Sequence, residues 1–209
     1  MNCIKKHIKM IIKYEILFPE LTNRDLYKCL QIDDDSVHLI STRIQSRSIL
    51  DLILKFLKSH HLHSKKLVLT DMTAGVGGNT IMFGKYFEKV NAIEIDKLRY
   101  NYLKNNCNVY NLNNICFFNN NSLDIIQNLE SDIIFIDPPW NTCKLSNMNM
   151  KEMIEFLFEK QKNKLKIIVI KLPLDYSIGQ IPNVELKYIY LKKMLIILAK
   201  NNLYSENTN

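Results

Sequence analysis

"KLVLTDMTAGVGGNTIMF", residues 66–83, is the stretch whose reading decides the fold. Residues 66–72 are apolar, partly β-branched and followed at once by glycines, which predicts a buried strand. Residues 79–87, "NTIMFGKYF", carry apolar residues at helical spacing, with Asn79 or Thr80 placed to cap a helix. Between them lie Gly75, Gly77 and Gly78. Glycine tolerates positive φ and lets a ligand approach the main chain, so this turn predicts a binding site where the helix begins. Its G-x-G-G spacing departs from the G-x-G-x-x-G of a dinucleotide pyrophosphate turn, and no lysine stands where a P-loop needs one.

The same alternation continues outward. Residues 90–95, 115–119, 132–136 and 166–172 read as strands, and 98–110, 123–129 and 151–163 as helices between them. Residues 184–190 and 193–199 read as two further strands joined by a short turn near Lys192. Strands alternating with helices require an α/β fold with a mostly parallel, doubly wound, Rossmann-like sheet, and the final pair suits an antiparallel edge. Residues 1–63 differ, with Tyr, Leu and charges at helical spacing and "TNRD" and "QIDDDS" as cap or turn signals. They predict a short helical N-terminal extension, leaving residues 64–209 as the main domain. The terminal "NNLYSENTN" reads as frayed.

Composition narrows the class. The chain has 209 residues, 47% hydrophobic and 23% charged, with five Gly and five Pro, which excludes a disordered or fibrous protein. The five cysteines form no C-x-x-C pair and the histidines follow no ligand spacing, so free thiols and no metal are expected. "MNCIKKHIKMIIKYEILF" scatters charges among its apolar residues, unlike a signal peptide or membrane span. An intracellular, non-secreted monomer is expected. The net charge of +7 fits a polyanion-binding face, and equally a chain rich in Lys, Asn and Ile throughout.

In such a sheet, ligands lie beyond the carboxyl ends of the strands, and the unusual residues fall there. The first strand ends at Asp71 and the glycine turn. The second ends in "EID", where Glu94 can accept both hydroxyls of a ribose. The third runs into "NNNSL", where Asn121 offers an amide to an adenine edge. A glycine turn, a ribose acid and a polar residue for adenine, without a phosphate clamp, describe a nucleoside site. S-adenosylmethionine fits it.

The fourth strand runs into "FIDPPWNT", residues 135–142, which holds the only tryptophan of the chain. Two prolines cannot extend a strand ladder, so Asp137 and the Pro138 carbonyl are left at the sheet's carboxyl edge. An exocyclic amine on a base is a poor nucleophile because its lone pair is conjugated into the ring. Asp137 and the Pro138 carbonyl can accept its two N–H bonds and free that lone pair for a methyl group held in line. Trp140 offers a flat face on which a base stacks, and a cationic, methylated purine would stack better still.

"DMTAGVGGNTIMF", "AIEID", "NNCNVYNL" and "FIDPPW", in this order, resemble the RNA cap guanine-N2 methyltransferases, the trimethylguanosine synthases. The resemblance covers roughly residues 64–172, and "STRIQSRSILDLIL" is weakly similar to the helix that precedes the first strand. It implies a class I methyltransferase fold, S-adenosylmethionine as donor, and methyl transfer to N2 of 7-methylguanosine in capped RNA. On this resemblance Asp71, Thr73, Ala74, Gly75, Gly77 and Asn79 bind the cofactor's methionine side, Glu94 its ribose and Asn121 its adenine. Asp137 and Pro138 handle the amino group, and Trp140 stacks on the base. The family usually has Ser at the position of Asp137, two glycines at Asn141-Thr142 and Asp at Asn121. Lys144, Lys171, Arg43 and Arg47 are candidates for the triphosphate bridge. Two other readings stand: a guanine-N2 or adenine-N6 methyltransferase of structured RNA, and a non-catalytic RNA-binding subunit, which would be expected to have lost the acid or the glycines.

Overall fold

The computed structural model describes residues 11–141, 145, 147–161 and 164–202. A seven-stranded sheet comprises β1 (Val68–Asp71), β2 (Lys89–Ile93), β3 (Ile115–Phe118), β4 (Ile133–Ile136), β5 (Ile167–Leu172), β6 (Val184–Leu191) and β7 (Met194–Asn201), in the order β3-β2-β1-β4-β5-β7-β6. The first five strands are parallel, and β7 runs antiparallel to both β5 and β6. The helices are α1 (Ser36–Leu39), α2 (Arg43–Ser59), α3 (Gly78–Gly84), α4 (Lys97–Val109), α5 (Ser122–Ile125) and α6 (Met150–Lys160). These elements fall where sequence periodicity places them, including the antiparallel edge. The expected end of the sixth helix at 162–163 and the tail from 203 lie outside the described residues.

The apolar runs are continuous because both faces of the sheet are covered. Along β4, Ile133 and Phe135 enter one core, and Ile134 and Ile136 enter the other. The period-2 alternation of a strand sends successive side chains to opposite faces. Helix α6 covers one face with Met153, Ile154 and Leu157. The opposite core takes Ile49, Leu50, Ile53 and Leu57 from α2, together with Phe18, Tyr27 and Leu30 from upstream.

Two kinds of bond fix that upstream segment. Thr42 and Gln45 form a reciprocal capping box at the start of α2. Fully buried Asn106 on α4 clamps the chain at Gln31: its Oδ1 accepts the Gln31 N–H at 2.7 Å, while Nδ2 donates to the carbonyls of Gln31 at 2.7 Å and Val76 at 2.8 Å. One amide therefore ties the N-terminal segment to the glycine turn. Asn79 and Thr80 do not cap α3. The N-cap is Gly77, at φ +104, and the two side chains bond elsewhere.

Replacing Asn106 by Leu keeps the branched shape and leaves the Gln31 N–H and the carbonyls of Gln31 and Val76 without their partner. Urea denaturation should show a loss of about 2–4 kcal/mol, each orphaned group costing roughly 1–3 kcal/mol. A change below about 0.5 kcal/mol, the range of neutral surface substitutions, would mean that the clamp is dispensable.

Candidate active site

Strand β1 is paired with β2 on one side and β4 on the other, so the connections that follow β1 and β4 run in opposite directions. A cleft of about 740 Å³ opens there, within the size range of small-ligand sites. The turn after β1 is pinned to both neighbours: Met72 N–H donates to Phe135 O at 3.0 Å, and Ala74 N–H to Ile93 O at 3.0 Å. Residues 72–76 line the cleft, with Gly75 at φ +54, a conformation that glycine adopts without strain.

Of the cofactor-binding residues expected from sequence, Thr73, Ala74, Gly75, Asn79, Glu94 and Asn121 lie on the cleft wall, and Asp71 and Gly77 do not. Asp71 is fully buried beneath the turn. Its carboxylate accepts the Thr80 hydroxyl at 2.7 Å and the Thr73 N–H at 3.2 Å, and burial pushes its carboxyl up to about 7. Asp71 thus braces the turn from below. Gly77 starts α3, where its positive φ serves the bend.

Glu94 is 9% exposed and uses one oxygen for Gly75 N–H and the other for Asp96 N–H, each at 2.8 Å. Burial raises its carboxyl above the ordinary range, against these two backbone bonds. Asn121 is the N-cap of α5, its Oδ1 accepting Leu123 N–H at 3.2 Å, which leaves its amide nitrogen as a donor. Asn79 lines the cleft, is 8% exposed, and its Oδ1 is without a hydrogen-bond partner. A buried acceptor of this kind is suited to a ligand donor such as an amino acid's ammonium group. A buried acid, an amide donor and an orphaned acceptor along one cleft suit a ligand such as S-adenosylmethionine.

At the other end stand Asp137, Pro138 and Trp140. Trp140 is 37% exposed, so it is no core residue. Its indole N–H donates to Asp137 Oδ1 at 3.2 Å, and Thr73 Oγ1 accepts the Asp137 main-chain N–H at 2.8 Å. Lys171 forms a 2.7 Å ion pair with Asp137 Oδ2 and is itself buried, so it is not an open phosphate-binding cation. The two expected arginines fare no better: Arg47 pairs with Asp51 at 2.9 Å and Arg43 is off the cleft wall, while Lys144 lies outside the described residues. The wall instead carries Lys193, from the β6–β7 turn, and Arg99, which pairs with Asp33 at 3.4 Å.

Sequence reading also missed Ser41. Its Oγ accepts from Asn79 Nδ2 at 3.1 Å and Lys171 Nζ at 2.9 Å. No local pattern singles out this serine, whereas a lysine inside "IIVIKL" must be paired if the strand is buried. Among the described residues Cys29, Cys107 and Cys116 are free, no group of acids, histidines or cysteines could hold a metal, and no helix is long and apolar enough to cross a membrane.

Comparison with known proteins agrees with this geometry. A family model described as RNA cap guanine-N2 methyltransferase matches residues 66–206. The uncharacterized protein L320 of Acanthamoeba polyphaga mimivirus is 34% identical over 95% of this chain and 89% of its own length. Trimethylguanosine synthase of Schizosaccharomyces pombe is 31% identical over 35% of this chain and 33% of its own. The fold is shared with the N-terminal domain of human METTL16 in complex with SAH, at TM-score 0.63 and 17% identity over 83% of this chain and 75% of that one. A precorrin-6y C5,15-methyltransferase from Geobacter metallireducens gives TM-score 0.55 and 17% identity, over 82% and 97%. Fold, cleft and family match together make this a methyltransferase that uses S-adenosylmethionine. The chain belongs to the RNA cap guanine-N2 methyltransferase family.

Proposed function

We propose that this chain methylates the exocyclic N2 of 7-methylguanosine in an RNA cap. The observation that carries the reading is the joint placement of Asp137, Pro138 and Trp140 at the far end of the cofactor cleft: an acid, a backbone carbonyl and an aromatic face. The match to trimethylguanosine synthase, though confined to a third of each chain, supports the same substrate. Glu94, Asn79 and Asn121 would hold the cofactor, which would supply an electrophilic methyl group. Asp137 and the Pro138 carbonyl orient the amine through its two N–H bonds. With the cofactor bound, the amine lone pair would accept its methyl group in place of the sulfur, and Asp137 would take the proton that the nitrogen loses.

One observation favours a second reading. The Lys171 ammonium already lies 5.0 Å from the centre of the Trp140 ring, which reduces the advantage of a cationic base over a neutral one. On that reading the substrate is an unmodified guanine or adenine in a larger RNA.

Quenching of the single tryptophan by nucleotides separates the two. 7-Methyl-GTP should bind Trp140 more tightly than GTP, by about 0.5–2 kcal/mol. Trp140→Ala should abolish turnover of cap analogues without altering the melting temperature, and equal quenching by the two nucleotides would favour the second reading. On the cofactor side, Glu94→Ala should weaken SAH by about 1.5–3 kcal/mol in calorimetry, since a buried charged acceptor is lost. Wild-type affinity in that variant would move the ribose site elsewhere. Finally, Lys193→Ala should raise KM for capped substrates and reduce the slope of log affinity against log salt by about 1, with SAH binding unchanged. An unaltered slope would show that the phosphates are held elsewhere.

A further inference from the structure

Lys171 lies in β5 among Ile167, Ile168, Val169, Ile170 and Leu172, all fully buried. Its side chain is 5% exposed, and a buried ammonium is costly unless well paired. Its partners therefore define its use. Nζ donates to Asp137 Oδ2 at 2.7 Å and to Ser41 Oγ at 2.9 Å, and lies 5.0 Å from the Trp140 ring centre. Because Ser41 Oγ accepts from both Lys171 and Asn79, its own hydrogen is left for Asp137 Oδ2, 3.5 Å away. With Trp140 on Oδ1, the acid is held by groups from β5, from the segment before α2 and from its own turn.

We propose that Lys171 is a positioning residue: its ammonium keeps the buried Asp137 carboxylate ionised and aimed, so that the acid accepts from an incoming amine. The inference rests on the reading of Asp137 as the amine's acceptor. A protonated Asp137 would set an O–H donor against the amine's own donors and could not take the proton that leaves. Burial drives Asp137 that way, raising its carboxyl, and the Lys171 charge is the largest influence opposing it. Burial and the charges of Asp137 and Glu94 raise the carboxyl of Asp71, at the end of β1. Arg99, Lys193 and His38 line the same cleft, while Lys171 makes the contact.

Trp140 reads out this charge without any substrate, because its indole N–H sits on Asp137 and no other tryptophan contributes. Wild-type emission should stay constant from neutral pH downward and change on the acid side. In Lys171→Met the transition should move up by about one to three pH units, the usual effect of an adjacent opposite charge. Asp137→Asn should remove the transition, which separates it from Asp71. If cap analogues are turned over, the acid limb of kcat should shift with the emission in Lys171→Met while SAH affinity is unchanged. An unmoved transition in Lys171→Met overturns the proposal. Should that variant fail to fold, the wild type decides alone: an Asp137 transition at or above neutral pH overturns it. Failure to turn over any cap analogue would sink the substrate reading and leave this titration standing.

Discussion

The parallel pairing of β1 on both sides is the constraint on which the rest depends. Because β2 and β4 flank one strand, the chain must leave their carboxyl ends in diverging directions, and no connection can fill the gap between them. The glycine turn after β1 and the proline turn after β4 are brought side by side by that geometry, through Met72 to Phe135 and Asp137 to Thr73. The two turns thus meet over a distance set by strand spacing alone. The side chains have only to be of the right kind, because the sheet supplies their placement.

The segment before α2 finishes what the sheet begins. At Gly78 an added Cβ would meet Ile40 Cγ1 at 2.6 Å and the Ser41 carbonyl at 3.2 Å, so the absence of a side chain is what lets the segment lie against the turn. Asn106 secures the same segment at Gln31 and the turn at Val76. The wall of the cleft therefore includes residues far from the sheet in sequence, and Ser41 connects Asn79 with Lys171.

Much of this was legible in the sequence. Apolar runs such as "DIIFI" announce strands because both faces of the sheet are covered, and "DPPW" announces an interrupted ladder because proline cannot continue one. The wall residues Gly75, Glu94 and Asp137 follow from strand ends and the turns after them, and Thr73 from the family resemblance. Asp71 did not, because position at a strand end does not tell which way a side chain faces: it turns inward to Thr80. Lys171 was read as an open cation although its apolar neighbours already required it to be paired. Ser41 was beyond reach, since its bond to Lys171 spans most of the chain and follows no local period.

The insertion of β7 between β5 and β6 leaves β6 as the outer strand, paired on one side only among the described residues. An outer strand presents a row of backbone donors and acceptors onto which a foreign chain can add, the usual start of aggregation. Here Glu185 and Lys187 are exposed along with Tyr190, so an incoming strand would have to strip water from charges of both signs. At the opposite rim, β3 is four residues long, too short to template much. Two unrelated devices, alternating charge and brevity, thus keep an open sheet from growing.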